Sequence, residues 1–254
     1  MMGVHHAITG AGAWVALTAT VPGALGVMPL PPLAVALGAI TCAGAALLPD
    51  ADHPSATIAQ SIPVLGKVGA NAISGMVGGH RHGSHSLLAI PVIALLAWLL
   101  QFGVLTVPWW PTPVPVATGC AATALIAFAV KVLGVTKGWL PAWITGAVLG
   151  CSIALLLPEG TEWVASAIVI GFVTHLVGDF LTIGGLPLLW PLNPRPPAAL
   201  APLRMFWMPN GYFAFPILGK TGSAREWLLG VVTTLYTGYL FVALAHSQLL
   251  ALTV

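Results

Sequence analysis

Charge is what this sequence has least of. Only 6% of its 254 residues are Asp, Glu, Lys or Arg, against 58% hydrophobic residues, and the mean hydropathy is +0.97. A chain so poor in charge cannot give a water-soluble fold its ordinary charged surface, so lipid has to be the solvent for most of it. Cysteine is also scarce: Cys42, Cys120 and Cys151 stand alone within apolar runs, which excludes a CxxC redox or metal motif and predicts no disulfide. There is no basic stripe with interleaved aromatics, and a net charge of +2 is too small to draw nucleic acid. The first apolar segment has no basic run before it, so it is expected to be a retained span and not a cleaved signal. The short alternating segments of a membrane β-barrel are missing too.

What is present is a series of apolar runs of about 20 residues, the length a membrane-spanning helix needs. Candidate spans fall at residues 7–22, 31–49, 86–107, 116–134, 138–157, 163–184 and 227–250. Prolines at Pro29–Pro32 and Pro108–Pro115 separate several of them. The connections 50–85 and 185–226 are too polar and too rich in Gly and Pro to span. The expected fold is all-α, a polytopic transmembrane bundle of about seven spans with short interfacial helices or loops, in one integral membrane domain over residues 1–254.

Counting crossings from His5 brings the chain back to its starting side at Asp50, at the 80–85 segment, at His175 and Asp179, and through 185–226. The unusual polar residues therefore gather at one face. The same count puts every Lys and Arg there: Lys67, Arg81, Lys131, Lys137, Arg195, Arg204, Lys220 and Arg225. Basic residues favour the cytoplasmic side, so a cytoplasmic N-terminus and site and an outward C-terminus are expected.

Three segments carry the chemistry. In Gly79-His80-Arg81-His82-Gly83-Ser84-His85-Ser86, three histidines and an arginine lie within six positions at a bilayer boundary. Packing does not require them, whereas imidazole is the commonest metal ligand; Ser86 reads as the N-cap of the following helix. In Pro49-Asp50-Ala51-Asp52-His53-Pro54, two carboxylates close a helix whose C-terminal dipole they oppose, a placement that a cation between them would relieve. His175 and Asp179 are four apart on a helix, hence on one face, and ionisable residues inside a span are costly unless used. His5 or His6 can complete the shell. The roles of His53 and His82 stay open, and His246 reads as structural.

Taken in chain order, these segments resemble the motifs of the LexA-regulated, membrane-bound metal-dependent hydrolases, the YdjM-like family. The resemblance rests on the N-terminal histidine followed by Gly10, Pro49-Asp50-x-Asp52, His80-Arg81-x-x-Ser84-His85-Ser86, His175-x-x-x-Asp179-x-x-Thr182-x-x-Gly185 and Thr221-Gly222-Ser223-x-x-Glu226. It covers nearly the whole chain. It implies a hydrolase of the bacterial inner membrane and names no substrate.

The expected metal ligands are His6, Asp50, Asp52, His80, His85, His175 and Asp179, holding one or two divalent ions. Zinc is favoured by the imidazole, with manganese and iron as alternatives. Arg81 and Arg204 are expected to stabilise a developing anion, and Glu226 or a free member of the Asp50/Asp52 pair to act as general base. A site flush with the membrane favours an amphiphilic ester or phosphoester, such as a phospholipid or lipid-linked phosphoester. Nucleic acid is disfavoured for want of a basic surface. The competing readings are an ion or proton transporter, which would spread such residues through the bilayer depth, and a non-catalytic scaffold locked by metal.

Overall fold

A computed structural model describes residues 1–157 and 160–253. Among them the chain forms eight α-helices and no named strand: α1 Gly3–Thr18, α2 Pro32–Ala45, α3 Leu65–Val77, α4 Ala89–Leu99, α5 Val116–Val132, α6 Trp139–Leu156, α7 Glu162–Phe180 and α8 Ala224–Ala251. Local sequence sets several boundaries. Pro32 opens α2, where its missing N–H costs nothing. Gly78, at φ 84°, closes α3 in the left-handed conformation. Ser223 starts α8 by accepting from the Glu226 backbone N–H.

The all-helical reading holds, but the helices are less uniform than hydropathy suggests. Four segments are long and apolar enough to cross a membrane: Pro32–Asp52 (α2 with the 3-10 turn Leu48–Asp52), α6, α7 and α8. The other expected spans are shorter, at 16 residues for α1 and 17 for α5. The third, expected over 86–107, begins only at Ala89 and passes into a 3-10 turn that ends at Phe102. Its start is delayed because the Ser86 hydroxyl donates to the Gly83 carbonyl inside the preceding 3-10 turn; Ser86 is therefore not the helix N-cap, and Leu88 holds that position without a side-chain bond.

The long connections fold back onto the bundle. Residues 50–85 carry α3, whose Leu65, Val68 and Met76 are exposed while Ala70 is buried, as expected of a helix lying at an interface. Residues 185–226 lie over the end of α7, where the Phe215 and Leu218 amides donate to the Phe180 and Leu181 carbonyls at 2.8 and 2.9 Å.

Helices in lipid cannot rely on the hydrophobic effect to pack against each other, so close approach over small residues has to hold them. α2 shows this. A Cβ on Gly44 would collide with the Leu125 backbone of α5, one on Gly10 of α1 would lie 2.9 Å from the Ala46 Cβ, and one on Gly171 of α7 would meet the Cys42–Ala46 backbone. Above this junction the buried Trp14, Val35, Ile126 and Ile153 fill the interior, and the Trp14 indole donates to the Val35 carbonyl at 3.0 Å. The arrangement fixes the end of α2 against α1, α5 and α7. Replacing Gly171 with Leu should force α2 and α7 apart and destabilise the protein by about 1–3 kcal/mol or more. Thermal unfolding in detergent checks this against Gly238→Leu, where a Cβ meets nothing within 4 Å and little change is expected.

Candidate metal centre

The contacts bring the start of α1, the end of α2, the start of α4 and the end of α7 together at one end of the bundle. His5 and His6 are neighbours on α1 and so point roughly 100° apart. His6 turns inward, stacking on His175 with ring centroids 3.7 Å apart and its Nε2 3.2 Å from Asp179 Oδ1. His5 turns toward α8 instead, with Nδ1 2.6 Å from Glu226 Oε1.

His175 lies at the centre. Its Nδ1 is 2.8 Å from the Ala46 carbonyl, which can only accept, so Nδ1 carries the proton and Nε2 of the neutral ring presents a lone pair. That Nε2 is 3.3 Å from His85 Nε2, 3.8 Å from Asp50 Oδ1 and 3.8 Å from Asp179 Oδ2. His85 is oriented in the same sense. Ser84 Oγ donates to Asp52 Oδ2, so it can only accept from His85 Nδ1, 2.9 Å away, which leaves the His85 Nε2 lone pair facing inward. His85 Nε2 is in turn 3.6 Å from Asp50 Oδ1 and 3.9 Å from Asp179 Oδ2.

Two imidazole lone pairs and two carboxylate oxygens thus converge with no proton between the rings to bind them. Such a set is repulsive on its own and complementary to a cation. His6, His175 and Asp179 form one group with metal-ligand spacing, and Asp50, His85 and His175 form a second that shares His175. Both ring nitrogens of His6 and Asp179 Oδ2 are buried and make no hydrogen bond of good geometry, which is costly unless something else engages them. The donor set of imidazole and carboxylate fits a divalent metal ion, and these buried His/Asp groups could hold one.

Around this set lies a supporting layer. Asp52, fully buried, faces away from the centre: Oδ1 is 2.7 Å from His80 Nδ1, and Oδ2 accepts from Ser84 and from the Arg81 amide. Asp52 and His80, expected as ligands, are therefore arranged to position Ser84 and His85, a common role for carboxylates behind metal-bound histidines. Arg81 adopts φ 57°, unusual for a side-chain-bearing residue, and places its NH2 group 2.9 Å from Asp179 Oδ2, outside hydrogen-bond alignment. The Met1 amino group contacts the other oxygen of Asp179. Tyr212 donates to the Arg81 carbonyl at 3.0 Å; burial raises its phenol above the ordinary value against the pull of the Arg81 charge, which keeps it a donor.

Two expected catalytic residues lie elsewhere. Glu226 is buried and accepts from the Met2 and Gly222 amides at 2.6 and 2.7 Å, besides meeting His5. It ties α8 to α1 and is not in the cluster. Arg204 is exposed and makes none of the ion pairs found among the described residues. His53 meets the Ser55 hydroxyl at 2.6 Å, and His82 Nδ1 lies 3.0 Å from the His80 carbonyl. His246 is exposed near the other end of α8. Sequence reasoning missed the Ala46 carbonyl and Tyr212, neither of which leaves a signal in the residues; the orienting role of Ser84 was signalled by its place beside His85.

Next to the cluster, a cavity of about 190 Å³ lined by Gly3, Leu47, Asp50, Ser55, Ala56 and Thr57 among others reaches the Asp50 carboxylate.

The sequence of the YdjM inner membrane protein family aligns with residues 1–248. The chain belongs to that family. It is 31% identical over 156 residues to Inner membrane protein YdjM of Escherichia coli (strain K12), and equally to the protein of that name from Shigella flexneri. The matched region is 61% of this chain and 48% of each relative, so the chain spans about half the length of the curated relatives it matches. No solved structure matches. With its long apolar helices, the chain is a membrane protein of this family.

If Ser84 sets the His85 tautomer through Asp52, Ser84→Ala should weaken metal binding about 10–100-fold without abolishing it, as loss of a supporting hydrogen bond does elsewhere. Isothermal titration of metal-stripped protein with zinc measures this. An affinity equal to wild type would show that the Ser84–Asp52 pair does not orient the ligand.

Proposed function

We propose that this chain is a metal-dependent hydrolase embedded in the bacterial inner membrane, cleaving an ester or phosphoester of an amphiphilic molecule at the cytoplasmic face. The observation that carries the reading is the convergence of the His175 and His85 Nε2 lone pairs with Asp50 and Asp179.

His6, Asp50, His85, His175 and Asp179 are the residues that would hold the ion. Both candidate groups need His175, whose Nδ1 is committed to Ala46, and one nitrogen lone pair serves one ion; this supports a single metal rather than two. A bound divalent ion, zinc before manganese or iron for so imidazole-rich a set, supplies Lewis-acid polarisation of the substrate oxygen and acidifies water.

The remaining chemistry belongs to the chain. Asp50 is the carboxylate of the set most open to solvent, with 29% of its side chain exposed beside the polar cavity, where it is placed to accept a hydrogen bond from water entering the site. Arg81, 28% exposed and held by Tyr212 through its carbonyl, offers guanidinium donors to an anionic centre next to Asp179. Asp52 positions His80 and Ser84. Glu226 anchors the first turn of α1, from which His6 projects. The cytoplasmic orientation rests on all eight basic residues falling on the site's side of the predicted crossings.

Purified protein should hold stoichiometric metal by elemental mass spectrometry, and His175→Ala and Asp179→Ala should each remove it. Arg81→Ala should keep the metal and lower the hydrolysis rate of a phospholipid phosphoester by about 10²–10³-fold. Wild-type protein that takes up neither zinc nor manganese on reconstitution would overturn the hydrolase reading and leave a relay or scaffold.

A further inference from the structure

Beside the cluster, between α3 and α4, is a second cavity of about 360 Å³ whose character is opposite to that of the polar one. Ile73 and Val77, one turn apart on α3, form one wall. Leu88, the N-cap of α4, and Val92 and Leu96, one and two turns further on, form the other, and Phe172 of α7 is at the back. Its lining is almost wholly apolar. The exception is Ser84, the residue whose hydroxyl bonds Asp52 and meets His85 Nδ1.

We propose that this cavity seats one hydrocarbon chain of a membrane lipid and so presents that lipid's polar end to the His/Asp cluster. Three features argue for a lipid chain. The α4 wall is continuous with the outer surface of the bundle: Leu88, Val92 and Leu96 line the cavity yet remain 51%, 52% and 53% exposed, so the seat opens sideways where hydrocarbon is the surrounding medium. Its volume accommodates on the order of ten methylene groups, taking each as roughly the 30 Å³ that a water molecule occupies in the liquid. Its polar end is capped by Trp190, whose ring packs on Gly83 so that a Cβ there would lie 3.1 Å from it, and tryptophan favours the headgroup level of a bilayer.

The arrangement places an apolar seat and a polar cavity on either side of the Pro49–Asp52 turn. Pro49 and Ala51 line the first and Asp50 the second. An amphiphile entering from the bilayer would lay its chain between α3 and α4 and bring its ester or phosphate linkage to the turn, with water reaching Asp50 from the other side. That a lipid is the substrate rests on the hydrolase reading; the seat itself stands without it.

The test uses the full chain in phosphatidylethanolamine vesicles doped with phosphatidylglycerol that carries a diazirine on one acyl chain. After irradiation, mass spectrometry maps the labelled residues, and metal content is measured on the same samples. Labelling should concentrate on Val77, Val92 and Leu96 over the lipid-facing Val231 and Leu235 of α8. Val92→Trp and Val77→Trp should each lower labelling of the seat by about tenfold or more by filling it, while Leu235→Trp should not, and all should retain the wild-type metal content. Even labelling of the seat and α8 in metal-replete protein would overturn the seat and leave the hydrolase reading in place. Seat labelling in a wild-type protein that binds no metal would support the seat and overturn the hydrolase. Labelling of α8 with none at the seat would show that the seat is filled by something other than lipid, and would also overturn the proposal.

Discussion

The hydrogen bond from His175 to the Ala46 carbonyl decides the character of the whole site. Ala46 caps α2, and the carbonyls at a helix end lack partners in their own helix. One of them is used here to fix a histidine tautomer on α7. The bond can form only if α2 and α7 come very close at that level, which Gly171 against Cys42–Ala46 permits and a larger residue would not. Small-residue packing between membrane helices and the direction of one imidazole lone pair are thus parts of the same constraint. Were the ring turned over, Nε2 would no longer face His85, Asp50 and Asp179 as an acceptor, and the set would lose its common centre.

Electrostatics at this end of the bundle point the same way. Asp50, Asp52 and Asp179 all lie at or near the ends of α2 and α7, where the helix dipoles already carry partial negative charge. Three carboxylates gathered at two helix C-termini, and largely removed from water, amount to a strong demand for positive charge. The Met1 amino group and Arg81 meet part of it at Asp179, Arg81 through a left-handed backbone conformation that its neighbours have to hold in place. The inward Nε2 atoms of His85 and His175 cannot meet the rest while their Nδ1 protons are committed. A metal ion would satisfy the carboxylates and the imidazoles together.

How much of this could be read from residues alone depended on whether the signal was local. The pairing of His175 with Asp179 follows from helical spacing, and the density of histidine over residues 80–85 marks a site without any fold. The choice of His6 over His5 depends on which way α1 faces, and that is settled by contacts with α7 and α8 that lie far away in the chain. Asp52 and His80 read as ligands from residue type and spacing, which carry no direction; the fold pairs them with each other and Asp52 with Ser84, outside the two His/Asp groups. The third span was read too long for a related reason: hydropathy registers apolar residues such as Leu105 and Val107 but not Gly103, which follows the 3-10 turn after α4.

Glu226 illustrates the limit of motif logic most directly. In sequence it is an acidic residue within the Thr221-Gly222-Ser223-x-x-Glu226 element, and acid near a metal site suggests a base. In the fold, its oxygens accept from the Met2 and Gly222 amides and meet His5, while its own amide donates to Ser223 to start α8. A carboxylate with its acceptor positions so engaged has little capacity left to take a proton from substrate, but it joins the first turn of α1 to the first turn of α8. Because His6 follows His5 on that same turn, fixing His5 outward is what fixes His6 inward against His175 and Asp179. The element is better understood as the fastening that sets the register of α1 at the centre, and the doubled histidine as the means by which one helix turn both grips α8 and serves the site.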